Sequence, residues 1–146
     1  MLKELMTLNP VQVSRNTEAV EVARLMAERG VGCVIVEDNG RPVGILTDRD
    51  LVTRCIAAHK DAHTCTAESL MSRTVVACSE NDGVMDCVNL MRKHGVRRIV
   101  VTDSRDHIRG IISFGDLVGL LARELHEMTS VLTRAGEEEA VEVAAA

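Results

Sequence analysis

The sequence predicts an α/β (α+β) protein built from two tandem copies of one small unit, each a three-stranded sheet with two helices. Three observations predict it. The chain matches itself at a nearly constant offset, its apolar spacing switches from helical to strand period twice in the same order, and turn residues fall at the same points in each copy. At an offset of 65, Leu5-Met6 meets Leu70-Met71, Val11 meets Val76, Ser14 meets Ser79, Leu25-Met26 meets Leu90-Met91 and Gly30-Val31 meets Gly95-Val96. One inserted residue near Asp106 moves the offset to 66, after which Gly44-Ile45 meets Gly110-Ile111 and Asp50-Leu51-Val52 meets Asp116-Leu117-Val118.

Each unit opens with a short lead-in strand near Val11-Val13 or Val76-Cys78. Ala19, Val22, Ala23 and Met26 then mark an amphipathic helix over 17–29, repeated over 82–94 by Val84, Cys87, Val88 and Met91. Gly30 and Gly95 follow directly, where a left-handed residue ends a helix. The β-branched runs Cys33-Val34-Ile35-Val36 and Ile99-Val100-Val101 read as strands. Asp38-Asn39-Gly40 and the longer Asp103-Ser104-Arg105-Asp106 turn the chain into second strands ending at Leu46 and Ile112. Second helices begin near Asp48 and Phe114. So small a sheet has too little core to stand alone, and two units packed together would bury their open sheet faces. The units are placed at 1–62 and 63–133, with His59 to Glu68 as a solvated linker and the acidic, alanine-rich segment 134–146 as a disordered tail.

Composition excludes several classes of function. No apolar run reaches the length of a membrane span, and MLKELMTLNP lacks the apolar stretch of a signal peptide, so a cytoplasmic protein without membrane contact is expected. The net charge of −5 includes four glutamates in the last ten residues, and with them set aside the rest stands near neutrality. With no basic face, no Trp or Tyr, and Phe114 as the one aromatic, nucleic acid is not an expected partner. The five cysteines have no CxxC spacing and read as reduced thiols.

The chemistry concentrates in Gly44-Ile45-Leu46-Thr47-Asp48-Arg49-Asp50 and its echo Gly110-Ile111-Ile112-Ser113-Phe114-Gly115-Asp116. One reading is a pair of helix capping boxes, Thr47 or Ser113 as N-cap with Asp50 or Asp116 reaching back. The other is a ligand site. The motif recurs after a strand and before a helix, a glycine three residues ahead leaves room for a ligand or another backbone, and a helix N-terminus attracts phosphate. A carboxylate there can instead accept the hydroxyls of a ribose.

LKELMTLNPVQVSRNT, RLMAERGVG and GRPVGILTDRDLV together resemble a CBS domain, and LMSRTVVACSEND, LMRKHGVRRIVVTD and RGIISFGDLV resemble a second, the likeness running from about Leu2 to Arg123. The resemblance implies a pseudo-twofold pair with clefts between units and an adenine nucleotide (AMP, ADP, ATP or a related adenosyl ligand) as regulatory ligand. It assigns phosphate or ribose contact to Thr47 and Ser113, and the ribose hydroxyls to Asp50 and Asp116. Arg97 and Arg98 stand where similar modules place phosphate-binding basic residues, while the first unit has Gly32 and Cys33 there. An arginine fork suits phosphate, although two surface strand-edge charges are the alternative. The expected ligand set is Gly44, Thr47, Asp50, Arg97, Arg98, Gly110, Ser113 and Asp116, in two unequal clefts, with adenine held between aliphatic side chains.

No catalytic constellation, P-loop or metal quartet is present in the sequence, so the module is not expected to be an enzyme or to require a cofactor. Output would pass through an unidentified regulated protein or a change of oligomer. A homodimer is expected, with the apolar side of the last helix (Leu117, Leu121, Leu125, Met128, Leu132) either joining copies or covering its own core. Two further readings stand beside this one. The first is an interaction or oligomerisation module without nucleotide binding, its motifs being caps. The second is a redox or Zn²⁺ sensor acting through His59, His63 and Cys65, or through a Cys33–Cys78 pair.

Overall fold

The computed structural model describes the backbone of residues 2–145 and the side chains of residues 2–132. A 3₁₀ turn at Leu2–Glu4 leads into β1 (Thr7–Leu8) and β2 (Gln12–Ser14), followed by α1 (Ala19–Arg29), β3 (Cys33–Asp38) and β4 (Arg41–Thr47). A short α2 (Asp48–Asp50) passes into a π-helical turn at Leu51–Ile56. The second copy comprises α3 (Ala67–Leu70), β5 (Ala77–Ser79), α4 (Val84–His94), β6 (Arg98–Thr102), β7 (Ile108–Ser113) and α5 (Phe114–Ala145). The tail expected over 134–146 falls on residues whose side chains lie outside those described, and the backbone there continues α5 to Ala145.

The duplication survives in backbone detail. In each unit the lead-in strand runs parallel to the next strand, which pairs antiparallel with the one after it. Each hairpin carries a register shift at the matching place, Val36/Glu37 and Val101/Thr102. Gly30 and Gly95 close α1 and α4 with φ of 63° and 64°, a left-handed region in which a side chain would be strained. There Val31 and Val96 each donate to the carbonyl five residues back, at 3.0 Å, which satisfies a free helix end. The hairpins themselves differ. Asn39 and Gly40, both with positive φ, make a two-residue turn that suits the twist of paired strands. The second turn has one residue more. It is held by Asp103, whose carboxylate accepts from the Arg105 and His107 backbone N–H groups.

The units exchange arms. β1 adds to the far sheet by pairing with β7, giving the order β1-β7-β6-β5, while β2-β3-β4 forms the other sheet. Conversely Ser72, just beyond α3, bridges Ile45 in β4. Leu2 and Met6 are thus buried with Cys78, Met91, Ile99, Val101 and Ile112, whereas Ala67, Leu70 and Met71 are buried with Val22, Met26, Val34, Val36 and Leu46. Strand alternation puts Ile35 and Val100 on the opposite sheet faces. Both are fully buried there, which accords with two units covering each other.

The exchange also changes the reading of the segment between the units. His59 and His63 are exposed, but Cys65 is buried and Thr66 caps α3, its hydroxyl accepting from the Ser69 N–H at 3.3 Å. The segment is therefore docked rather than a solvated tether. Apolar side chains at 65, 67 and 70 give it more to bury than a tether would have.

Candidate functional site

Each strand-to-helix junction is closed by a capping box, as the motif predicts. Thr47 N–H and Oγ1 donate to Asp50 Oδ2 at 2.9 and 2.8 Å, and Asp50 N–H returns a bond to Thr47 Oγ1 at 3.1 Å. Ser113 and Asp116 repeat the pattern at 2.7, 2.7 and 3.2 Å. In both, the hydroxyl proton and one carboxylate oxygen are committed to the cap. What remains for a ligand is the other carboxylate oxygen, a lone pair on the hydroxyl, and the helix N-terminus with its free N–H groups.

A cavity of about 230 Å³ opens between the units at the second junction. Ser113, Asp116 and Ile111 line it from the second copy, Thr7, Pro10, Val11, Val31, Gly32 and Cys33 from the first, and Arg98 reaches in from the start of β6. The walls at Pro10, Val11, Val31 and Ile111 are aliphatic, and the polar groups gather at one end. Few polar groups in an apolar cleft is the usual build of a small-molecule site. Burial pushes the Cys33 thiol above its ordinary range while the nearby Arg98 guanidinium pulls the other way, so the wall there is neutral.

The expected ligand residues divide into three groups. Arg98, Ser113 and Asp116 meet in this cavity. Arg97 lines a further depression of about 410 Å³ together with Arg98, Ser113, Phe114 and Gly115, so Arg98 stands in both and Arg97 only in the second. Thr47 and Asp50 stand at the other junction, where Arg54 Nε lies 3.4 Å from Asp50 Oδ1.

Gly44 and Gly110 make room for close approach by another part of the chain, the second of the two uses the motif left open. A Cβ on Gly44 would sit 2.2 Å from Met71 Sδ, and one on Gly110 would sit 2.7 Å from Met6 Sδ and 2.9 Å from the Thr7 carbonyl oxygen. The space each glycine leaves is filled by the exchanged arm of the other unit. Thr7, Pro10 and Val31 were not singled out as site residues. Only the packing of the arms and the helix end brings them to the cavity, although the Leu5-Met6/Leu70-Met71 match does mark both arms as apolar.

The thiols are arranged differently from the expected pair. Cys33 and Cys78 lie in different sheets, and Cys78 Sγ is instead 3.2 Å from Cys87 Sγ. Burial holds both of these thiols, and that of Cys55, well above the ordinary cysteine range. Among the described residues no three His, Cys, Asp or Glu side chains are grouped as a metal site, and no helix is long and apolar enough to cross a membrane.

A duplicated sheet-and-helix unit with exchanged arms, a capped carboxylate at each strand-to-helix junction and a cleft between copies defines a paired, pseudo-symmetric module. The CBS domain family model matches residues 2–56 and 67–123, and the chain belongs to that family. It is 35% identical over 116 residues to the CBS domain-containing protein YhcV of Bacillus subtilis, covering 80% of this chain and 81% of that one. It is 36% identical over 101 residues to the uncharacterized protein MK0525 of Methanopyrus kandleri, covering 68% of this chain but only 52% of that protein. Among solved structures it is similar to Hypoxic Response Protein I with two coordinated zinc ions, at 28% identity and a TM-score of 0.71, covering 80% of this chain and 94% of that one. It is likewise similar to the CBS domain protein PAE2072 of Pyrobaculum aerophilum complexed with AMP, at 26% identity and a TM-score of 0.70, covering 78% and 87%.

Proposed function

We propose that this chain is a non-catalytic regulatory module of the cytoplasm that takes an adenosine-containing ligand, with AMP, ADP and ATP as the candidates, in the cavity at Ser113, Asp116 and Arg98. The observation that carries the reading is the open oxygen of Asp116: its Oδ2 is held by the cap, and no partner for Oδ1 stands among the described residues. A carboxylate so fixed is positioned to accept both hydroxyls of a ribose. The start of α5 and Arg98 offer N–H donors and positive charge to a phosphate. Pro10, Val11, Val31 and Ile111 offer an aliphatic slot for the base. The relative PAE2072, seen with AMP, supports the ligand class.

The signal would leave through a second copy or a regulated partner. Val52, Ile56, Val118, Leu121 and Leu125 are exposed on the helices after the two motifs. Among the described residues of the last helix Leu117 is buried and Leu120 half-buried, while Leu121, Leu125, Met128 and Leu132 stay exposed, which supports a homodimer rather than cover for its own core.

Calorimetry with AMP, ADP and ATP tests the reading. Binding by wild type is expected, weakened by Asp116→Ala about tenfold to a hundredfold, which is roughly 1.5–3 kcal/mol. No binding of any of the three up to millimolar concentration would overturn it. If Asp116→Ala lowered only the melting temperature, with no ligand-dependent stabilisation to lose, the motifs would be caps of a pure interaction module.

A further inference from the structure

The two junctions make the same cap and differ in what holds the remaining carboxylate oxygen. At the first, Arg54 brings Nε to 3.4 Å from Asp50 Oδ1. Its Nη1 donates to the Leu70 carbonyl at 2.8 Å and its Nη2 to Ser72 Oγ at 3.2 Å. One guanidinium thus ties the motif aspartate to the exchanged arm. In the repeat, Leu70 and Ser72 correspond to Leu5 and Thr7, and Arg54 corresponds to Leu120. At the second junction Thr7 and Asp116 both line the open cavity, and Leu120 has no group that could span them. The winding differs as well: Leu51–Ile56 is a π-helical turn, whereas the matching stretch belongs to the α-helix α5.

We propose that Arg54 is a built-in latch that occupies the ligand position of the first junction, so that the module takes one adenine nucleotide per chain, at Asp116, rather than two. The inference rests on the nucleotide reading above and sharpens it to a stoichiometry. A ribose arriving at Asp50 would have to displace a guanidinium that is ion-paired with that carboxylate and hydrogen-bonded to Leu70 and Ser72. At Asp116 it meets an unpartnered oxygen. Arg54 is a specificity-determining residue that acts by filling the site, and touches no ligand in the other cleft.

A reciprocal exchange of the two side chains tests it, with bound AMP counted per chain by calorimetry and equilibrium dialysis. Wild type is expected to saturate at one AMP. Arg54→Leu, which copies the second unit, should saturate at two. Leu120→Arg, which copies the first, should weaken the wild-type site at least tenfold, with cooperative melting confirming that each variant is folded. Two AMP per chain in wild type would overturn the latch, as would a folded Arg54→Leu that stays at one. Should Arg54→Leu not fold, Leu120→Arg decides: unchanged affinity overturns the latch, and at least tenfold weakening supports it. A wild type that binds no AMP would instead strike the nucleotide reading itself, so the two failures are told apart.

Discussion

Asp50 and Asp116 close their helices through the same three hydrogen bonds, yet one is latched by an arginine and the other faces an open cleft. The contrast teaches that a duplicated motif fixes a shared local geometry and leaves its use to neighbours outside the motif. Arg54 stands four residues beyond the first aspartate, and the second unit has Leu120 there. That single difference decides whether a carboxylate fixed by its cap has an oxygen to spare. The cap itself is stabilising by roughly 0.5–2 kcal/mol whether or not a ligand comes. Structure and recognition are therefore separable at these residues, and under the latch proposal only Asp116 serves both.

The largest effects expected outside binding come from the exchanged arms, which test whether the two units are equally dependent on each other. Leu2 and Leu70 are both fully buried, each in the core of the opposite unit. Leu70→Ala should cost about 2–5 kcal/mol in a denaturant melt, the range for a buried leucine that leaves a cavity. Leu2→Ala should fall in the same range if the first arm is seated as firmly as the second. A silent Leu2→Ala would show that the chain end frays and would break the symmetry of the exchange.

A smaller effect, about 1–3 kcal/mol, is expected for alanine at either motif glycine, because an added methyl overpacks the seam between motif and arm. Gly110→Ala should be the costlier of the two, since its Cβ meets the Thr7 backbone carbonyl at 2.9 Å as well as Met6. At Gly44 the contacts are with the Met71 side chain alone. Thermal melts rank the pair. If both changes reduced AMP affinity and left the melting temperature alone, the glycines would be ligand contacts after all.

The smallest effect concerns the thiols, which are arranged differently in the two units. Cys33, Cys55, Cys78 and Cys87 all have their titration pushed up, with burial as the first cause in each. A thiol raised in the folded state keeps its proton where the unfolded chain has already released it. The sign follows: the contribution is complete below the ordinary thiol pKa of about 8.5 and is lost as pH rises above it. Melting temperature should therefore decline from about pH 8.5 upward, and thiol reagents should reach half-buried Cys33 in the native protein before the 3.2 Å Cys78–Cys87 pair. Faster reaction at Cys78 or Cys87 would mean that the second unit opens more readily than the first.

Much of the candidate site was legible before any coordinates. Thr47 with Asp50 and Ser113 with Asp116 announced capping boxes through their spacing, and each box forms. The helices over 17–29 and 82–94 are found at Ala19–Arg29 and Val84–His94, each stopped by its glycine. Those features depend on residues within a turn or two of each other, where hydroxyl-to-amide reach and apolar period act directly. Arg97 and Arg98 were legible as a basic pair at the start of the second unit's strand, but which of them reaches the cavity beside Asp116 was not, because that depends on how the two units pack.

By itself the sequence determined the duplicated unit, the order of its elements and the two capped carboxylates, because period, caps and turns are set by short-range geometry. Only the tertiary structure decided that residues 2–8 and 67–72 trade places, that Met6 and Met71 fill the space beside the motif glycines, and that Cys78 meets Cys87. It also decided that Asp50 is latched while Asp116 is open. Each of these depends on which distant segments share a surface once the chain closes. That is settled by where buried side chains of the right volume can be accommodated, and no local pattern carries it.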